Sequence, residues 1–130
     1  MEELLFETAE KEVLLDITEA VEEAVRRSGL RDGICFVFCP HTTAGLTINE
    51  SADPAVRRDI VRALDRLVED DAGWEHAEGN SPAHIKASLI GSSVTIGVSD
   101  GRLELGTWQG VFLCEFDGPR RRRVWVRTVS

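Results

Sequence analysis

The sequence predicts an α+β fold, a strand-rich mixed or antiparallel sheet with two to three helices. Three observations carry this expectation. Asp53-Pro54 and Ser81-Pro82 each set a capping side chain before proline, the usual start of a helix. From Ser92 onward the chain alternates apolar and polar residues between tight turns, the period of half-buried strands. Between these signals, Ile34-Cys35-Phe36-Val37-Phe38 is an unbroken apolar run, which reads as a central strand covered on both faces.

Taken in order, residues 3–9 and 11–17 read as two short strands with Lys11-Glu12 in or near the turn. Thr18 then caps a helix to about Ser28. Its glutamates fall early and Arg26 and Arg27 late, as the helix dipole favours. Ala20, Val21, Ala24 and Val25 form its buried stripe, and Gly29 is the candidate C-cap. The apolar strand of residues 33–39 follows, then a loop holding His41, then a strand at Leu46-Thr47-Ile48-Asn49. The helix begun at Asp53-Pro54 has one apolar face of Val56, Ile60, Leu64 and Leu67, with Val61 and Val68 beside it. Residues 69–80 show no period and read as a loop. Ser81-Pro82 opens a short helix to about Ile90, with His84 in its first turn. The strand over 92–99 ends at Asp100-Gly101, a hairpin turn. Residues 110–117 and 122–129 are further strands around a turn at Gly118-Pro119.

With 130 residues, the chain is expected to form one domain spanning 1–130. The net charge of −8 argues against nucleic acid as a main partner, since duplex binding rests on basic side chains neutralising phosphates. No run approaches the ~20 apolar residues that cross a bilayer, so no membrane partner is expected. Met1-Glu2-Glu3 is acidic and does not read as a signal peptide; the expected location is cytoplasmic. Cys35 and Cys39 sit about 13 Å apart along a strand at ~3.3 Å per residue, too far for a disulfide. With Cys114, they read as small buried hydrophobes, leaving Cys39, beside His41, a minor alternative as a thiolate ligand.

The chemistry lies in the histidines. All three, His41, His76 and His84, sit in polar, turn-rich segments. Imidazole is the commonest ligand for zinc-like metals, and three with a water make an open catalytic site. A structural role for each ring is the alternative. Glu78 or Glu50 could orient a ligating ring or act as general base. Lys86 is about 200° around the helix from His84; it either reaches an anion at a neighbouring subunit or is solvated. In Gly106-Thr107-Trp108-Gln109-Gly110 two glycines bracket an aromatic and an amide. Trp108 reads as a core plug, leaving Gln109 to find a hydrogen-bonding partner such as a ligand group. Arg120 to Arg123 is either a solvated hairpin end or a clamp for phosphate or carboxylate.

Together, His41-Thr42-Thr43-Ala44-Gly45-Leu46-Thr47-Ile48-Asn49-Glu50, Asp53-Pro54-Ala55-Val56, His76, Glu78-Gly79-Asn80, His84-Ile85-Lys86-Ala87-Ser88 and Gly106-Thr107-Trp108-Gln109-Gly110 closely resemble the YjbQ family, also called UPF0047 or the secondary thiamine-phosphate synthase family. The motifs fall in order along nearly the whole chain. The resemblance implies a compact α+β fold assembled as a homotrimer. It implies a metal site near the subunit boundary with His41, His76 and His84 as ligands, a divalent ion being required and zinc favoured. Asn49, Glu50, Asp53, Glu78, Lys86 and Gln109 match other polar positions of the family's motifs; Glu78, Lys86, Gln109, Asn49 and Glu50 are the candidate catalytic residues.

The implied activity joins hydroxymethylpyrimidine diphosphate to thiazole phosphate, releasing pyrophosphate; the implied partner is a small phosphorylated substrate. Such chemistry calls for a divalent ion and cationic side chains on phosphate oxygens. Lys86 and Arg120 are the candidates, and no glycine-rich phosphate loop is visible. A histidine-rich site with an open position also suits activation of water, so a zinc-dependent hydrolase of a small substrate is the alternative. A non-catalytic trimeric module stapled by metal is the third reading.

Overall fold

The computed structural model describes residues 1–70 and 72–130; Asp71, within the expected loop of 69–80, lies outside the described residues. The chain order is β1 (Glu2–Glu7), β2 (Val13–Asp16), α1 (Thr18–Ser28), β3 (Asp32–Phe38), β4 (Ala44–Glu50), α2 (Pro54–Leu67), α3 (Ser81–Ile90), β5 (Ser93–Ser99), β6 (Arg102–Leu103), β7 (Gln109–Glu115) and β8 (Arg121–Val129). The expected α+β class is what forms, but as two sheets. One has the order β1-β8-β3-β5-β6 and the other β2-β7-β4, and every strand pair in them is antiparallel. Among the described residues no helix is long and apolar enough to cross a membrane.

Alternation along β7 explains the layering. Val111 and Leu113 point into the core between the sheets, together with Val21 and Val25 of α1 and Cys35 and Val37 of β3. Phe112 and Cys114 point the other way, under Leu64 of α2 and Ala83 and Ala87 of α3. β7 is therefore the strand covered on both faces. The apolar run of β3 is not: Cys35 and Val37 are buried, whereas Ile34 is 47% exposed. Its outer aromatic residues instead stack in a row, with ring centroids 6.3 Å apart for Phe36 and Phe38 and 5.8 Å for Phe38 and Trp125.

Several local expectations shift for physical reasons. β1 and β2 do not form a hairpin; β1 pairs with β8 and β2 with β7. Thr18 begins α1 but does not cap it. Asp16 Oδ1 accepts from the Thr18 N–H at 3.0 Å and from its hydroxyl at 2.6 Å, and that hydroxyl in turn accepts from the Val111 N–H. α1 ends at Gly29 in the left-handed region, φ 77°, as expected. Asp53 caps α2, its carboxylate accepting from the Ala55 N–H. Leu67 does not join the buried face of that helix and is exposed. α3 starts at Ser81, but the flanking cap position is Asn80, whose side chain makes no cap bond. Asp100 (φ 55°) and Gly101 (φ 77°) form the hairpin turn, both left-handed as a two-residue connection of the I′ type requires.

Trp108 does not plug the core; it is 64% exposed. It sits in a turn closed twice, by the Gln109 N–H on the Gly106 carbonyl and by the Gly106 N–H on Gln109 Oε1. The three cysteines are buried. Burial pushes the Cys35 thiol up to about 11 and the Cys114 thiol up to about 12, and it raises Cys39 as well. A resting thiolate at Cys39 is thereby disfavoured.

Candidate functional site

The start of α3 and the loop before it build the first part of the site. Pro82 in the first turn fixes the helix start, which places His84 one turn in. The preceding loop turns back at Gly79 (φ 74°), whose N–H donates to the His76 carbonyl. That turn sets the His76 ring against His84, edge to face, with centroids 5.2 Å apart. The Glu78 carboxylate lies 4.0 Å from His76 Nε2. Both imidazoles line an open groove whose floor includes Trp74 and Ile85. Trp74 is itself tied down by its indole N–H on the Glu69 carbonyl.

His41 is elsewhere. It follows β3, and its Nε2 accepts from the Arg123 N–H at 2.8 Å. Burial first, and the nearby Arg122 and Arg123 charges next, hold its pKa below the ordinary imidazole range. The ring is therefore neutral at pH 7 with its proton on Nδ1, because Nε2 is the acceptor. Among the described residues of one chain, no three His, Cys, Asp or Glu side chains gather closely enough to hold a metal ion. The chain thus brings His76 and His84 together and leaves His41 apart.

The other candidates divide between two further places. Glu50 is in register with Gln109 and Asn49 with Gly110, at one end of the β2-β7-β4 sheet. There Asn49 Oδ1 accepts from the Glu50 N–H, and Glu50 Oε2 accepts from the Ala52 N–H. Lys86 is neither solvated nor directed at a neighbour. It is 3% exposed, and its ammonium donates to Glu12 Oε2 at 2.7 Å and to Asp65 Oδ1. Burial alone would lower its pKa, but the two carboxylates outweigh burial and raise it.

The arginine run resolves residue by residue. Arg122 is the clamp, but for a carboxylate of its own chain: it is buried, and its guanidinium holds both Glu115 oxygens. Arg120 pairs with Asp117 and Arg121 with Glu7 at the surface, while Arg123 is exposed. The Arg122–Glu115 pair beside His41 was missed in the motif reading. A signal for Arg122 existed: it is in phase with Val124 and Val126, both inward-facing on β8. Nothing comparable marked Glu12 or Asp65, because the partner they share, Lys86, is distant in sequence.

The family model described as "UPF0047 protein YjbQ-like" matches residues 2–130. A UPF0047 protein of Methanocaldococcus jannaschii is 50% identical, over 95% of this chain and 89% of its own length. The UPF0047 protein YugU of Bacillus subtilis is 43% identical, over 98% and 97%. A crystal structure of a YjbQ/UPF0047 family protein from Clostridium acetobutylicum is 52% identical, superposes with a TM-score of 0.97, and is covered over 99% of this chain and all of that one. A YbjQ-like protein of unknown function from Sulfolobus solfataricus is 35% identical with a TM-score of 0.93, over 98% and 94%. With motifs, fold and full-length relatives in agreement, the chain belongs to the YjbQ (UPF0047) family.

Proposed function

We propose that this chain is a divalent-metal enzyme of the secondary thiamine-phosphate synthase type. It works as a homotrimer, with His76 and His84 of one subunit and His41 of another holding the ion. The observation that carries this reading is the edge-to-face His76–His84 pair in an open groove. Two imidazoles, one in the first turn of α3 and one in the loop before it, offer two donors of the kind zinc prefers. The third is assigned to a neighbouring subunit, because among the described residues of one chain no third ligand gathers there. His41 is neutral and therefore competent, once its ring turns from the Arg123 N–H.

When bound, the ion would supply charge on phosphate oxygens of the departing pyrophosphate. Glu78, beside His76, orients that ring and can accept a proton. Arg123, exposed next to His41, offers a cation to a phosphorylated substrate. Lys86 serves as a positioning residue. Its bonds to Asp65 and Glu12 tie α3 to α2 and to the segment entering β2, which fixes the helix that carries His84.

Hydrolysis of a small substrate by a zinc-bound water is the second reading. It is favoured by the exposed Glu78 carboxylate, which stands 4.0 Å from His76 Nε2, within reach of a water on a metal held there, as a general base. One experiment separates these readings. Purified protein is analysed for metal, then assayed for thiamine phosphate from the two phosphorylated precursors and for substrate hydrolysis, with and without chelator. His41→Ala and His84→Ala should each abolish turnover without unfolding the chain. Mixed trimers of the two variants should regain part of it, because some interfaces then carry an intact set. Turnover in either single variant, or metal-free active protein, would sink the shared site. Metal without any turnover would reduce it to a staple.

A further inference from the structure

The first two turns of α2 stand beside residues 10–14, the segment that enters β2 at one edge of the β2-β7-β4 sheet. Between them lies an open groove of about 610 Å³. Lys11 lines one wall and Arg57 and Arg58 the other, around an apolar surface of Val13, Pro54 and Val61. We propose that this groove binds a small carboxylic acid with an apolar body. The three cations hold its carboxylate, and the apolar residues carry its body. The proposal stands apart from the metal reading, because none of the histidines lines the groove.

Arg57 supplies the first argument, since its guanidinium is already fixed. It lies over the ring of the buried Phe112, 5.1 Å from the centroid. Its Nη2 donates to the Ser51 carbonyl at 2.9 Å, and Ser51 is itself held by its N–H on the Trp108 carbonyl. Nε is closed off from solvent and is not the atom a ligand meets. Nη1 is: among the described residues it has no hydrogen-bond partner, and it is not closed off. A guanidinium stacked on an aromatic face loses little freedom on binding, and it gives a carboxylate a charge-assisted hydrogen bond.

Charge and lining decide the class of ligand. Among the described residues, Lys11, Arg57 and Arg58 form no ion pair, although most other cations of this acidic chain do. Glu10 and Glu12 also line the groove, but Glu12 is already held by Lys86. Three cations against two carboxylates leave one positive charge over, which a monoanion neutralises. A phosphate dianion would exceed that surplus and meet both glutamates. A bare ion is a poorer fit than an acid with a body. Val13 and Val61 are half-buried and Pro54 is exposed, and covering them adds a hydrophobic gain that a bare ion cannot collect. The volume falls in the range of small-molecule sites and admits a six-membered ring.

The full-length chain, labelled with nitrogen-15, is titrated separately with benzoate, benzamide, acetate and phenyl phosphate. Benzoate should shift the Arg57 side-chain N–H and the backbone amides of Val13, Arg58 and Val61 saturably. Benzamide has the shape without the charge, and acetate the charge without the body. Each should bind about tenfold more weakly than benzoate, or weaker still. Arg57→Met keeps an apolar stem over Phe112 and should weaken benzoate about tenfold, the worth of one hydrogen bond to a charged group. Arg58→Gln, at an exposed position that leaves folding intact, should weaken it about threefold, the scale of an exposed charge pair. No saturable shift, benzamide binding as tightly as benzoate, shifts centred on His76 and His84 instead, or unchanged affinity in Arg58→Gln would each overturn the site. Tighter binding of phenyl phosphate than of benzoate would overturn its assignment to a carboxylic acid.

Discussion

Two buried cations in this molecule are held in opposite ways. Arg122 is 2% exposed against a Glu115 that is fully buried, and the pair is closed. Glu115 also accepts from the Thr8 hydroxyl and the Asp117 N–H, and Arg122 donates to the Thr43 hydroxyl and carbonyl. One positive charge meets one negative charge with nearby hydroxyls filling the remaining valences. Lys86 is equally buried but faces two carboxylates, one of them half exposed, at the edge of a recess with an unpartnered amide oxygen. A closed network fixes geometry and asks for nothing more. An open one keeps residual charge, so removing one of its carboxylates costs far less than opening the closed pair.

The largest expected effect comes from opening the closed pair. Glu115→Gln leaves Arg122 buried without its counter-charge, a loss of roughly 3 to 5 kcal/mol in unfolding free energy by denaturant titration. A loss below about 1 kcal/mol, the scale of a solvated surface pair, would show that water reaches Arg122 and erase the distinction. Lys86→Met comes next, at roughly 2 kcal/mol. It strands two carboxylates, but Asp65 is 47% exposed and can turn to solvent. On the proposed metal reading, the same variant should also loosen the seat of His84 and lower the metal content of the purified protein.

Acid should separate the two networks further. Burial pushes the Glu115 carboxyl up, but the Arg122 guanidinium, the Asp117 N–H and the Thr8 hydroxyl outweigh it and hold it below the usual value of 4.5. A depressed carboxyl stabilises the fold above its unfolded pKa, and that contribution is lost as pH falls through the folded value. The melting temperature of the natural chain should therefore drop below about pH 4, and Glu115→Gln should lack that part of the drop. A parallel pH profile in the variant would assign the acid loss to other carboxylates.

How much of this could be read beforehand follows from the range of each signal. The helix starts at Pro54 and Ser81, the left-handed Gly29 and the Asp100-Gly101 turn depend on neighbouring residues, and they formed where the sequence placed them. The inward phase of Arg122 was equally local. The pairing of β1 with β8 rather than β2, and the ring contact of His76 with His84, depend on closure of long loops. Lys86 shows the limit: its residue type and helical angle were known, but its partners come from residues 21 and 74 positions away. Trp108 failed for a different reason. Its apolarity suggested burial, whereas Gln109 locks the turn and holds the indole outward.

The smallest expected effect is also the sharpest, because it differs in sign. Burial raises the Glu12 pKa more than the Lys86 bond lowers it, with Asp65 adding to the rise. A carboxyl raised in the folded state contributes stability below its unfolded pKa and loses it as pH climbs through the folded value. At pH 7 Glu12 is thus the surplus charge of its triad. Glu12→Gln keeps an oxygen for Lys86 to donate to and removes that surplus. It should leave the chain as stable as before or slightly more stable at pH 7, within about 0.5 kcal/mol, with the advantage vanishing as pH falls toward 4.5, the ordinary glutamate value. The same Glu→Gln change that breaks the Arg122 network would then be harmless beside Lys86. Destabilisation by Glu12→Gln comparable to that of Glu115→Gln would mean the two cations are held alike after all.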